Sequence, residues 1–228
     1  MIVRPATGVV QLITQPDHAQ LARRIMERCR ALADHPRRDA ILHAIAEHDN
    51  GWNEEDAAPF VTPAGRVADF IGVPVEVRQR VWPRGVGRLA NPWAAALVAH
   101  HAVTVYERYR PDPQWSSFFA QMEAMRDARV REHGLSFADL AADYPFVRLG
   151  DLASLAFCTA STDEQGFGAW AVKLSGQRVT VTPGSFDGVV IEIEVAAREL
   201  AARPYDTHQD LRSALRTAPV RLLHGEVA

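Results

Sequence analysis

Apolar residues recur at intervals of three and four along most of the first 160 residues. This period is that of an amphipathic helix with one buried face. Ser136 and Ser154 bracket two helical pieces with a break near Pro145. Pro83 is expected to end a short helix over residues 74–82. The other predicted helices cover residues 15–30, 40–49, 91–109 and 115–133.

The pattern changes after Ser161 to alternation and to β-branched residues, which predict strands at 169–174, 178–181 and 189–195. An N-terminal hairpin over residues 2–14 and a segment at 220–223 can join them. We therefore expect a mainly α protein with a small antiparallel β-sheet formed by the C-terminal strands and the N-terminal hairpin. We expect residues 1–160 to form an HD-like helical domain with this hairpin, and residues 161–228 to form a β-rich extension packed on it as part of one structural unit.

Composition narrows the class of protein. The chain has 228 residues and a net charge of -3, which argues against a general nucleic-acid binder. Cys29 and Cys158 are its two cysteines, so there is no disulfide framework. The start lacks a signal-peptide layout, and no apolar run approaches the ~20 residues of a membrane span. These features favour a soluble cytoplasmic protein that binds neither a membrane nor nucleic acid.

Candidate metal ligands occupy apolar helix faces. His48 and Asp49 continue the stripes of Leu42 and Ile45, so both side chains are predicted to be buried. His18 precedes the apolar positions of the first long helix in phase with them. A buried carboxylate is costly unless it is paired, hydrogen-bonded or bound to a metal. Alone, the His-Asp pair is also consistent with a core histidine and a capping aspartate, and His18 with a polar residue of the first turn.

Two later helices carry further candidates. The residues three and four positions before and after His101 are larger and more apolar than those around His100. His101 is therefore predicted to face inward. Asp151 shares a face with Val147 and Leu155 and is predicted to be buried as well.

The resulting order, His18, His48-Asp49, His101 and Asp151, resembles the HD-domain superfamily of metal-dependent phosphohydrolases. His48-Asp49-Asn50-Gly51 is similar to its His-Asp-x-Gly form, and the likeness covers residues 12–158. It implies an HD-domain-like helical bundle. The chain as a whole also resembles an uncharacterised bacterial family of unknown function.

The HD-domain resemblance implies a divalent ion, Mn, Fe, Ni or Zn, held by His18, His48, Asp49 and Asp151. Asp49 would also orient the nucleophile, and His101 would be a further ligand or a catalytic contact to the substrate. The reaction would be hydrolysis of a small phosphorylated substrate such as a nucleotide. Members with two metals carry two more histidines, and only one clear candidate occurs here, which favours one ion. No lysine follows the His-Asp pair at the place where many phosphohydrolase members have one, so the arginines considered for phosphate are Arg4, Arg66, Arg84 and Arg88.

Two other functions stay open. Some HD-domain proteins are diiron oxygenases, and the tryptophan-containing segment after Gly51 would suit an organic substrate. A non-catalytic binding protein on a degenerate HD scaffold is the third possibility, with the C-terminal sheet as the contact of a homodimer.

Overall fold

Eight α-helices and seven β-strands occur in residues 1–186 and 188–228, which the computed structural model describes. About 52% of the chain is helical and 20% is in strands. The helices are α1 (Gln15–Met26), α2 (Arg38–Glu47), α3 (Asn53–Ala57), α4 (Val75–Gly87), α5 (Pro92–Tyr106), α6 (Ser116–His133), α7 (Phe137–Thr159) and α8 (His208–Thr217). The strands are β1 (Ile2–Ala6), β2 (Val9–Ile13), β3 (Gln165–Phe167), β4 (Trp170–Ser175), β5 (Arg178–Thr182), β6 (Ile191–Ala201) and β7 (Val220–Val227).

All seven of these strands belong to one sheet in the order β1-β2-β6-β7-β5-β4-β3. Neighbours are antiparallel except β5 and β7, which run parallel. The sheet curls into a half-barrel. Because β2 pairs with β6, strands from both ends of the sequence meet inside it. The expected fold, an HD-domain-like helical bundle with a small antiparallel sheet, is therefore wrong: the sheet is large and mixed.

The length of β6 accounts for much of this difference. The sequence predicts a strand that ends at residue 195, whereas β6 continues to Ala201. Residues 196–201 are Ala-Ala-Arg-Glu-Leu-Ala, a composition that favours helix. They form strand because β2 and β7 pair with β6 on its two sides and satisfy its backbone groups. Tertiary pairing overrides local preference here.

Two prolines that were expected to end or break helices lie inside them. α4 continues past Pro83, and α7 runs through Pro145 as a single helix of 23 residues. A proline inside a helix removes one backbone hydrogen bond and crowds the preceding turn, at a cost of about 3 kcal/mol. Burial of neighbouring side chains offsets this cost, with Trp82 and Val86 anchoring α4 and Val147 anchoring α7.

The helices that carry the candidate ligands form the centre of the molecule. α1 packs on α2 and α7, and α5 also contacts both α2 and α7. α1 and α7 lie against the sheet as well, and one large hydrophobic cluster runs through these helices and the sheet. The inner faces of four helices therefore point toward one region. Among the described residues, no helix has both the length and the apolar character needed to cross a membrane.

Candidate metal centre

Four helices bring the five predicted site residues to one buried point. His18 lies in the first turn of α1, and His48 and Asp49 directly follow α2. His101 comes from the middle of α5, and Asp151 from the second half of α7. Their exposed fractions lie between 1% and 6%, so all five are removed from bulk water.

The donor atoms of these residues face one another at short range. Nε2 of His18 lies 3.2 Å from Nε2 of His48 and 3.2 Å from Oδ1 of Asp151. Both carboxylates reach the same imidazole, since Nε2 of His48 is 3.4 Å from Asp49 and 3.6 Å from Asp151. His101 completes the group, with Nε2 3.6 Å from Oδ2 of Asp151. Two overlapping triads have the spacing of metal ligands: His18, His48 and Asp49, and His48, His101 and Asp151.

Two histidines are oriented by hydrogen bonds on the ring nitrogen that faces away from this cluster. Nδ1 of His48 is 2.7 Å from the carbonyl of Ile45, which can only accept, so Nδ1 carries the proton. Nδ1 of His18 is 2.8 Å from the hydroxyl of Ser154. Because that hydroxyl donates to the carbonyl of Gly150, it accepts from His18. When such a ring is neutral, its Nε2 lone pair points into the cluster, the orientation that metal-binding histidines require.

The third histidine has a similar support. Nδ1 of His101 lies 3.2 Å from the hydroxyl of Tyr144, a buried side chain of α7. The His48 ring is flanked by the rings of His18 and His101, each with its centroid 5.1 Å away. A partner for each outer nitrogen fixes the three rings before any ligand arrives, which reduces the ordering cost of binding.

The charges of the cluster depend on burial and on the neighbouring groups. Burial lowers the pKa of His48, but the carboxylates of Asp49 and Asp151 outweigh it and raise that pKa to about 9. Burial also raises the pKa of Asp49. For Asp151, Arg148 and the histidines overcome the effect of burial and hold the pKa well below its ordinary value. Burial lowers the pKa of His101 well below its ordinary value, which leaves this imidazole neutral.

The spacing fits a shared cation. If His18 and His48 are both neutral, their Nε2 lone pairs face each other at 3.2 Å, an arrangement that needs a proton or a cation between them. Ligands held about 2.1 Å from an ion in tetrahedral or octahedral geometry lie about 3.0–3.4 Å apart. The observed distances of 3.2–3.7 Å are close to this range. A protonated His48 between two carboxylates is the alternative that needs no metal.

Glycines allow the close helix crossings behind the cluster. A Cβ at Gly150, next to Asp151, would stand 2.8 Å from Cγ of Met26 and 3.3 Å from Cγ2 of Ile45. A Cβ at Gly51 would overlap the backbone carbonyl of Val81 on α4. The first glycine lets α7 approach α1 and α2, and the second lets the turn after Asp49 rest directly on α4.

The cluster opens into a cavity of about 260 Å³. Aromatic side chains form much of its wall, and the ring of Trp82 lies 5.6 Å from that of His101. Arg148 pairs with Asp151 at the edge of the cluster. The aromatic and cationic side chains that line the cavity are Trp52, Phe70, Trp82, Tyr106, Arg78, Arg108 and Arg148.

The four arginines considered for phosphate from sequence have other contacts. Arg4 donates to the backbone carbonyl of Phe157, and Arg66 lines a separate cavity beside β2 and β6. Arg84 and Arg88 pair with glutamates of α3. The arginines that line the cavity at the cluster are instead Arg78, Arg108 and Arg148, and Arg148 pairs with Asp151.

His100 lies outside the cluster, as the comparison with His101 predicted. Its ring packs against Tyr144 at 4.5 Å and Phe137 at 5.8 Å, and burial lowers its pKa to about 4. His133 ends α6 and packs against Trp93 at 5.3 Å.

Some residues that contact the cluster were not proposed as site residues, although their spacing from Asp151 in the sequence could have identified them. Ser154 and Arg148 lie three residues on either side of Asp151, so the helical period places them beside that carboxylate. Tyr144 is one further turn away. Arg78 and Trp82 gave no such signal, because only the packing of α4 against the turn after Asp49 brings them to the cavity.

Comparison with known proteins places the chain in one family. Residues 1–202 match the profile of DUF3891, a family described as proteins of unknown function, and the chain belongs to this family. The expected resemblance to an uncharacterised family is thereby confirmed. No curated protein matches the chain, and no solved structure matches it. Membership of the HD-domain superfamily has no support in these comparisons.

Proposed function

We propose that the protein is a metal-dependent hydrolase that acts on a small phosphorylated substrate. The observation that carries the proposal is the convergence of three imidazole Nε2 atoms and two carboxylates at the inner end of a cavity. Nitrogen and oxygen donors of this kind suit Mn, Fe, Ni or Zn. The order of these residues in the chain is similar to that of the HD-domain phosphohydrolases, but the proposal rests on the geometry.

The arrangement favours one ion over two. His48 belongs to both ligand triads, and its Nδ1 is occupied by the carbonyl of Ile45. Its single remaining lone pair can bind one ion. His18, Asp49 and Asp151 supply further donors to the same ion, and neutral His101 suits a ligand better than a general acid.

The chemistry follows from this donor set. A divalent ion bound here would lower the pKa of a coordinated water and polarise a phosphoryl oxygen. Asp49 Oδ2 lies 3.7 Å from Nε2 of His18 and 3.4 Å from Nε2 of His48, where it can orient the attacking water. Arg148, held by Asp151, can contact a phosphoryl oxygen and balance its charge. The surrounding aromatic side chains limit the access of bulk water.

The oxygenase alternative draws support from the same aromatic wall, because Trp52, Trp82 and Tyr106 would suit an apolar substrate. A diiron site, however, needs ligands for two ions, and the two triads share His48. Two irons per chain and oxygen consumption would favour this function over hydrolysis. The binding-protein alternative predicts normal folding without metal and no turnover.

Metal analysis of the purified protein tests the proposal first. We expect about one Mn, Fe, Ni or Zn per chain, lost in Asp49→Ala. Asp143→Asn is the matched control: Asp143 is also buried, but it pairs with Arg37 outside the cluster, so the metal should stay.

Activity is then measured on p-nitrophenyl phosphate and bis-p-nitrophenyl phosphate, with each of the four metals added to chelator-treated protein. Metal-restored hydrolysis that Asp49→Ala abolishes is the expected result. A folded, metal-free protein in which no metal restores activity would contradict the proposal.

A further inference from the structure

Arg78 is a buried cation without a carboxylate partner among the described residues. Only 8% of its surface is exposed, and its Nε has no hydrogen-bond partner in this part of the protein. Removing a guanidinium from water is costly unless other groups compensate for the lost hydration. This residue also lines the cavity that contains the metal centre.

The other arginines of α4 and its end are neutralised. Arg80 and Arg84 pair with Glu55, and Arg88 pairs with Glu54. These pairs lie on the side of α4 that faces α3. Arg78 differs from them in its burial and in having no carboxylate within ion-pair distance among the described residues, although Asp49 and Asp151 line the same cavity.

Two aromatic rings hold Arg78 in position. Its guanidinium carbon lies 5.1 Å from the ring centroid of Tyr109 and 5.2 Å from that of Trp115. The two rings stack on each other at 4.7 Å with an angle of 10° between their planes. Cation–π contact offsets part of the burial cost and fixes the side chain, but it supplies no acceptor for the N–H groups. The described residues offer the guanidinium the Tyr109 hydroxyl but no carboxylate, so the N–H groups that face the cavity remain available to an acceptor on a ligand.

The guanidinium of Arg78 is linked to the candidate metal centre through Trp82 on the same helix. Arg78 and Trp82 lie four residues apart on α4, so their side chains are separated by one helical turn, about 6 Å. Trp82 packs against His101 of the metal centre. A ligand that extends along the aromatic wall from the cluster would therefore reach Arg78 with its far end.

We infer that Arg78 binds a second anionic group, a carboxylate or a phosphate, on the substrate whose phosphoryl group reaches the metal centre. The position of that phosphoryl group rests on the proposed function; the anion site at Arg78 does not. The substrate class is then a small phosphate ester with a flat, largely apolar middle part and an anionic far end. Unpartnered polar atoms of Gln15 and Trp52 in the same cavity can bind substituents of the middle part.

Two phosphonates that the enzyme cannot hydrolyse test the inference by calorimetry on Mn²⁺-loaded protein. Phenylphosphonate has one anionic group, and 4-carboxyphenylphosphonate carries a second one across the ring. We expect the wild type to bind the carboxylated probe at least about tenfold more tightly, since a charged hydrogen bond to a buried guanidinium is strong. Arg78→Gln should remove this preference and leave the affinity for phenylphosphonate within about twofold. Arg80→Gln, which removes the same charge from an exposed position on α4, should keep the preference.

A separate measurement uses benzoate and chelator-treated protein, and it does not depend on metal chemistry. Benzoate should bind to the wild type and not to Arg78→Gln. Equal binding of the two phosphonates by the wild type, or an unchanged preference in Arg78→Gln, would overturn the inference. Should neither phosphonate bind while benzoate still distinguishes the wild type from Arg78→Gln, the proposed function fails and the anion site stands.

Circular dichroism verifies that each variant is folded. If Arg78→Gln does not fold, Arg78→Lys replaces it. Arg78→Lys should reduce the preference for the carboxylated phosphonate, because lysine lacks the planar fork of arginine.

Discussion

Gly51→Ala tests the packing of the His-Asp turn against α4. The added Cβ would overlap the carbonyl oxygen of Val81 and stand 2.8 Å from its carbon and 3.2 Å from the backbone nitrogen of Gly85. An ordinary contact begins near 3.4 Å, so α4 or the turn must shift by more than an ångström to relieve the overlap. Backbone atoms cannot rotate away as a flexible side chain can. Overpacking of this kind costs about 1–3 kcal/mol, and a clash with backbone belongs at or above the upper end.

Urea unfolding, followed by circular dichroism, should show a loss of about 3 kcal/mol in the free energy of unfolding. In thermal unfolding, the same loss should lower the melting temperature of a chain of this length by roughly 6–12 °C. Gly87→Ala is the matched control, because this glycine is exposed on the same helix and a Cβ there meets no atom within 4 Å. The control should be neutral or stabilising by up to about 1 kcal/mol. The reasoning is refuted if Gly51→Ala unfolds within about 0.5 kcal/mol of the wild type.

Three further outcomes are expected. Ser154→Ala removes the acceptor for His18 and should weaken metal binding by about 10–100-fold in a chelator competition, with little change in the circular dichroism spectrum. Below pH 9 the metal-free protein holds a proton on His48 that the ion must displace, so apparent metal affinity should rise with pH between 6 and 9; a pH-independent affinity would argue against this ligand. Asp143→Ala removes the buried carboxylate that accepts from Arg37 and from Nε1 of Trp93, and it should reduce stability by about 3–5 kcal/mol in urea unfolding, while the metal content of the folded protein stays unchanged.

Local sequence information was sufficient for most helices. α1 begins where Thr14 accepts a hydrogen bond from the backbone of Asp17, and α5 begins where Asn91 accepts one from the backbone of Ala94; both residue types are common helix caps. The helical period also predicts which side chains of each helix face inward. Inward-facing histidines and aspartates on separate helices could therefore be named without knowledge of the tertiary structure; their role as metal ligands stays a prediction.

The sheet and the cavity could not be predicted in the same way. Residues 196–201 become strand only because distant strands pair with them on both sides. The continuation of α4 past Pro83 depends on burial of Trp82 and Val86, which no local pattern reveals. Arg78 illustrates the same limit: its isolation from carboxylates is a property of the assembled structure.

The pairing of β2 with β6 has a consequence for the order of folding. Gln11 and Glu199, which are hydrogen-bonded across this pair, are 188 residues apart in the sequence. At a synthesis rate of about 5–20 residues per second, the second strand follows the first from the ribosome by roughly 10–40 s. α1, α2, α5 and α7 have all been made before then.

The growing chain can thus bring the five residues of the candidate metal centre together while the half-barrel is still open. During this interval β2 presents an unpaired edge, which other nascent chains can recognise as a template for aggregation. An ion captured by the four helices at this stage would hold their common core together until β6 arrives. Supply of metal during synthesis would then influence the yield of folded protein as well as the activity of the finished molecule.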